Sequence, residues 1–261
     1  MQPSMIAAQM YTFREFSQTP EELRSTFQKL ASIGYTAVQV SGIGPIAPEI
    51  VKNYADEYGL KIIATHVPWT RLVDDVDVLA KEHQLWNCKY IGLGGLPDVY
   101  RTSIEGYRTF VEEASAISRQ LKEIYGLQFI YHNHDFEFER FEDSRTGMDI
   151  ILAETDPDYF GIELDLYWLQ AAGADPVEWI HKVQGRMQVV HLKDMAIFDR
   201  KPVFAELGEG NMNYTGILKA CRETNVEWYV VEQDVCRRDP FESVTISLNY
   251  LMHYMEGINH E

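Results

Sequence analysis

The chain has 261 residues, 46% of them hydrophobic and 24% charged, with a formal net charge of −17. That length and balance predict a folded domain with a core large enough to need no staples. The negative charge disfavours a general nucleic-acid binder, because phosphate contacts need cations. No run of about 18 apolar residues occurs, so no membrane span is predicted. Cys88, Cys221 and Cys236 form no CxxC pair, which predicts a reducing, cytoplasmic setting and neither a disulfide framework nor a zinc knuckle. The start, MQPSMIAAQMYTFREF, has no basic region followed by a long apolar run, so no signal peptide is expected.

In chain order, short apolar runs alternate with amphipathic stretches. The runs predict strands at 5–11, 36–40, 61–66, 90–94, 128–133, 160–165, 187–192 and 228–233. Between the first two, Thr19 reads as a helix cap, Pro20 as the first helical residue and Gly34 as the stop. A second long helix over 102–126 ends in the same way at Gly126, and a last one runs from Asp239 to Ile258. EYGLKIIATH (57–66) echoes IYGLQFIYHN (124–133), as two repeated units of helix end, glycine and strand would. Eight strands alternating with helices predict a parallel (β/α)8 TIM barrel, with residues 1–261 forming one domain. An open doubly wound sheet is the rival, but it usually carries a glycine-rich loop after its first strand, and YTFREF has none.

Catalytic residues of such barrels sit at the C-terminal strand ends. Here those ends carry Gln9 and Tyr11, Gln39, His66, the run GLGGLP (92–97), then His132, Asn133 and His134. The last three carry Glu163 and Asp165, then His191, Lys193 and Asp194, then Glu232 and Asp234. Residues two apart on a strand share a face. A lone polar strand end usually caps a loop. Four consecutive ends supplying His132, Asp165, His191 and Glu232 predict a metal site instead, because buried charge is costly unless paired or metal-bound. Imidazole mixed with carboxylate suits Zn²⁺, Mn²⁺ or Fe²⁺ better than Mg²⁺.

YHNHDFEF, GIELDLYWLQAAGADP, VVHLKD, ELGEGNMNY and VVEQD together resemble the xylose-isomerase-like TIM barrels, the sugar phosphate isomerase/epimerase family, over nearly the whole chain. The resemblance implies one divalent ion, Mn²⁺, Zn²⁺ or Co²⁺, held by a Glu, an Asp, a His and a Glu, with Asp165, His191 and Glu232 in the last three positions. It implies isomerisation or epimerisation of a small sugar, keto-sugar or polyol by proton removal beside a metal-polarised carbonyl. The chain departs at the first position, where His132 stands for the glutamate that shares the proton shuttle. Relatives that dehydrate keto-inositols have a similar His-rich strand end, so a dehydratase or lyase is the close alternative. The related endonuclease IV barrels need more histidines and a basic surface. A non-catalytic sugar-binding barrel is the third reading, and an intact metal set argues against it.

Around this set, Glu232, His132, Glu163 and Lys193 are the expected catalytic groups, with Glu163 orienting His132 or sitting in an internal salt bridge. Lys193 either stabilises an oxyanion or pairs with a carboxylate such as Glu163. His66, His134, Trp69, Trp168 and Glu209 are the expected substrate contacts, and the bland readings are a capped strand end, core aromatics and a simple turn. Trp168 stands where many relatives have a histidine. Arg14 reads as a surface partner of Glu15 or Glu22, and GLGGLP is a weak phosphate signal. Tyr250 and Tyr254 pack inward or join a homo-oligomer interface.

Overall fold

The structure, a computed structural model, describes residues 1–258. Its strands are β1 (Ile6–Gln9), β2 (Ala37–Val40), β3 (Lys61–His66), β4 (Tyr90–Leu93), β5 (Gln128–His132), β6 (Phe160–Asp165), β7 (Val189–Leu192), β8 (Asp194–Phe198), β9 (Lys201–Ala205) and β10 (Trp228–Val231). Eight of them close a parallel barrel in the order β1-β10-β7-β6-β5-β4-β3-β2. The chain is therefore the TIM barrel that its alternation of strands and helices predicts.

Local signals explain the helices. Thr19 accepts from the Glu22 amide and Glu22 returns the bond, which starts the helix Pro20–Ile33. Gly34 at φ 117° and Gly126 at φ 70° stop their helices in a left-handed turn that favours glycine. Two departures matter. The first strand ends at Gln9, not at 11, because Met10–Phe16 tightens into a 3₁₀ segment. β8 and β9 form an antiparallel hairpin that the strand pattern did not predict. Its turn uses Asp199 and Arg200 at positive φ, where Asn-Gly is the usual signal.

The main core lies between strands and helices, around residues such as Phe110, Phe129, Phe160 and Leu192. A second, smaller cluster fills the lower barrel with Ala7, Ala37, Tyr90, Ile130, Val189 and Val230. The small side chains leave room for the ring of Tyr90, whose hydroxyl donates to Glu227 at 2.6 Å. Among the described residues, no helix is long and apolar enough to cross a membrane.

Candidate metal and active site

One pleat above that apolar cluster, the same strand faces turn polar. Gln39 follows Ala37, His132 follows Ile130, His191 follows Val189 and Glu232 follows Val230. Parallel register sets His132 beside Glu163 and Asp165 beside His191. Relative exposure is 3% for His132, 4% for Glu232 and 0% for Glu163, Asp165 and His191. Charges this deep must find partners or the fold loses several kcal/mol per ion.

Most of them do. Glu163 accepts from Gln39 Nε2 at 2.9 Å and lies 2.5 Å from His66 Nε2. Gln39 Oε1 faces His191 Nε2 at 2.7 Å, and His191 Nδ1 faces Glu232 Oε2 at 2.8 Å. The Lys193 ammonium lies 2.7 Å from Asp165, 2.7 Å from Glu232 and 2.6 Å from Asp234. Asn133 Oδ1 accepts from the Asp165 amide at 3.0 Å, while Asp165 Oδ1 caps the helix Leu166–Ala171 through the Trp168 amide.

Burial would lower the proton affinity of His191, but Glu163 and Glu232 outweigh it and raise its pKa to about 10. Burial likewise opposes the charge on Lys193, and its three carboxylates hold it well above the lysine range. Burial would raise Glu163, yet His191 and His66 keep it well below the carboxylate range. Burial raises Asp165 to about 6 despite Lys193, because that one ammonium is shared. Burial and the neighbouring imidazoles of His191, His66 and His134 keep His132 neutral.

These residues fit a divalent cation. Glu163, Asp165, Glu232 and Asp234 face Lys193, a protonated His191 and the imidazole of His66, so the four carboxylates outnumber the cationic partners around them. His132 is a neutral imidazole whose buried Nδ1 has no partner, with Nε2 3.6 Å from Asp165 Oδ2. His132, Asp165, His191 and Glu232 bring ligand atoms within 4.8 Å of one another. A second set, His66, His132, Glu163 and His191, meets the same limit, and it is the lower set only through Glu163, two residues before Asp165 on β6.

Above lies an open cavity of about 400 Å³, with His66, Trp69, His132, His134, Glu232 and Asp234 in its wall. Asp165, Glu163, His191 and Lys193 sit beneath it, each 1% exposed or less. Trp69 anchors its ring by donating to Tyr100 at 3.1 Å. Trp168 stands outside the cavity wall, 5.5 Å from His134 and 5.7 Å from Phe204. Glu209 does not line the cavity, and its exposed carboxylate pairs with Arg238 at 2.7 Å.

Several expected partners change. Lys193 takes Asp165, Glu232 and Asp234, not Glu163. Glu163 lies 3.7 Å from His132, too far to orient it, and binds His66 and Gln39 instead. Arg14 donates to the carbonyls of Tyr11 and Asp234. The glycines of GLGGLP make room for His66, since a Cβ on Gly94 would lie 2.7 Å from its Nδ1. Sequence reasoning assigned no role to Gln39, although a glutamine inside a barrel strand was the available signal. Asp194, named only as a polar strand end, ties down the GEG loop through the amides of Met195, Gly208, Gly210 and Met212.

The site and fold together define the class: the chain belongs to the xylose isomerase-like TIM barrel family, which it matches over residues 27–251. A sugar phosphate isomerase/epimerase from Parabacteroides distasonis superposes with a TM-score of 0.79 at 25% identity, covering 95% of this chain and 97% of that one. An inosose dehydratase of Lacticaseibacillus casei is 26% identical over 144 residues, 48% of this chain and 47% of that protein. One from Clostridium perfringens is 24% identical over 170 residues, 58% of this chain and 56% of that protein. The chain thus spans about half the length of the curated relatives it matches.

Proposed function

We propose that this chain is a divalent-metal-dependent isomerase or epimerase of a small sugar, keto-sugar or polyol. The observation that carries the reading is the donor set His132, Asp165, His191 and Glu232, from four adjacent strands, under an open cavity. Mn²⁺, Zn²⁺ or Co²⁺ suits these donors, and when bound it supplies Lewis-acid polarisation of a substrate carbonyl. Glu232 reaches the cavity from the end of β10 and is held ionised by Lys193 and His191 against the pull of burial, and its position in the cavity wall places it to take the proton beside the carbonyl. Glu232 returns the proton it took to the neighbouring carbon in isomerisation, and His66, which lines the cavity against Glu163, is the imidazole placed to supply one to the other face in epimerisation. Lys193, its three N–H groups taken by Asp165, Glu232 and Asp234, holds these carboxylates in place from below. Trp69 gives the sugar ring an apolar wall and Trp168 supports His134 behind it. Glu163 holds His66 and takes no proton from substrate directly.

Dehydration of a keto-sugar or keto-inositol is the second reading. It is favoured by the imidazole of His132 at the place of a shuttle glutamate and by the inosose dehydratases among the relatives. Both readings begin with the same proton removal. Metal-loaded protein incubated in D₂O with ketoses, aldoses and inososes separates them by mass spectrometry. Deuterium gained with composition intact is isomerisation or epimerisation. Loss of water is elimination. No deuterium gain, no isomeric product and no loss of water with any substrate sinks both.

A further inference from the structure

The two donor sets share His132 and His191, and one ion cannot sit in both. The upper set reaches His191 through Nδ1, which faces Glu232 and Asp165. The lower set reaches it through Nε2, which faces Glu163 Oε1 at 3.3 Å. The side chain of Gln39 lies between these alternatives. Its Nε2 donates to Glu163 Oε1 at 2.9 Å, and its Oε1 lies 2.7 Å from His191 Nε2.

We propose that Gln39 selects the metal site: it fixes His191 as the Nε2–H tautomer and so directs the ion to the upper set. The inference rests on the metal-binding reading above. A glutamine has one NH₂ edge and one carbonyl edge. Glu163, already in contact with His66, takes the NH₂ edge, so the carbonyl edge must face His191. A carbonyl accepts only, so His191 Nε2 must carry the proton. In the metal-free protein Nδ1 also carries a proton, shared with Glu232, and this is the proton that a cation displaces, while the nitrogen that the lower set requires stays closed. Gln39 is fully buried, which keeps water from replacing either bond. A partner on the far nitrogen of a metal-binding imidazole commonly sets its tautomer in this way, and its loss typically costs about 10- to 100-fold in metal affinity.

Gln39 is thus a positioning residue, and the test reads tautomer and binding, not turnover. Protein with ¹⁵N-labelled histidine is titrated with Zn²⁺ as wild type, Gln39→Met, Gln39→Glu, His66→Ala and the Gln39→Met/His66→Ala double variant. In wild type, His191 shows Nδ1 bound to zinc and Nε2 protonated, and His66→Ala leaves affinity unchanged. Gln39→Met, isosteric but without an acceptor, weakens binding about 10- to 100-fold and makes the remaining affinity depend on His66. Gln39→Glu, which still accepts, keeps the wild-type tautomer. If wild type binds Zn²⁺ but Gln39→Met binds it equally well with the same tautomer, this inference falls alone. If wild type takes up no Zn²⁺, the metal-binding reading falls with it.

Discussion

The lower and upper layers of the barrel interior are built on the same strand faces, one pleat apart, and obey different physics. Below, Ala37, Ile130, Val189 and Val230 close on one another and on Tyr90. Stability there depends on volume and tolerates any apolar set that fills the space. Above, Gln39, His132, His191 and Glu232 occupy the next inward positions, and stability depends on who pairs with whom. A barrel can carry such a layer because the strands that bury it also bring four neighbours' side chains together. The upper layer is specified by charge balance, and its donors are grouped closely enough to hold a cation.

The largest expected effect breaks that balance. Lys193→Met leaves three carboxylates around an empty position, and breaking a buried pair costs about 3–5 kcal/mol. Calorimetry of the metal-free protein checks this, and an unchanged melting temperature would show that Lys193 is not the partner its distances indicate. Next, Asp165→Asn removes a charged donor but little volume. Metal affinity falls by more than about 100-fold, beyond the usual cost of losing an outer partner, as measured by Mn²⁺ titration. In the lower layer, Ile130→Val costs about 0.5–1.5 kcal/mol through a small cavity and leaves metal affinity unchanged. A loss of affinity there would mean that the two layers are mechanically coupled.

A buried carboxyl behind the end of β5 sharpens the contrast through pH. Burial raises Glu137 from its ordinary 4.5 to about 7, although it accepts from Tyr131 and from the His134 amide. The folded state therefore binds the proton more tightly than the unfolded chain does. This contribution to stability is full below about pH 4.5 and is lost as pH rises through about 7. Glu137→Gln keeps a carbonyl oxygen for one of the two donors and cannot ionise, so the pH dependence of denaturant curves between those values should flatten relative to wild type. An identical pH profile would place the ionisation elsewhere. The smallest effect is expected at Glu209→Ala, an exposed partner of Arg238, with kcat/KM and melting temperature unchanged. A fall in kcat/KM would bring the GEG loop back to the substrate.

The sequence announces the parts of the fold that repeat. Apolar runs between capped helices place all eight barrel strands, and strand-end chemistry places His132, Asp165, His191 and Glu232 at one mouth. What it hides are relations across strands. A period of two tells that Lys193 shares a face with His191, but not that its long chain reaches Asp165 and Asp234 and leaves Glu163 to His66 and Gln39. The glycines of GLGGLP look like a phosphate loop because the ring they accommodate, His66, lies 26 residues upstream of Gly92. The β8–β9 hairpin is silent because Asp199 and Arg200 are not the residues that usually mark such a turn.

The most direct test of the account is metal content by elemental analysis of wild type beside His132→Ala, each purified without chelator and supplied with Mn²⁺, Zn²⁺ or Co²⁺. The account predicts about one tightly held ion per wild-type chain and its loss in the variant, because His132 supplies a neutral donor that Asp165, His191 and Glu232 cannot replace. Retention of the ion by His132→Ala, or no uptake by wild type, would contradict it.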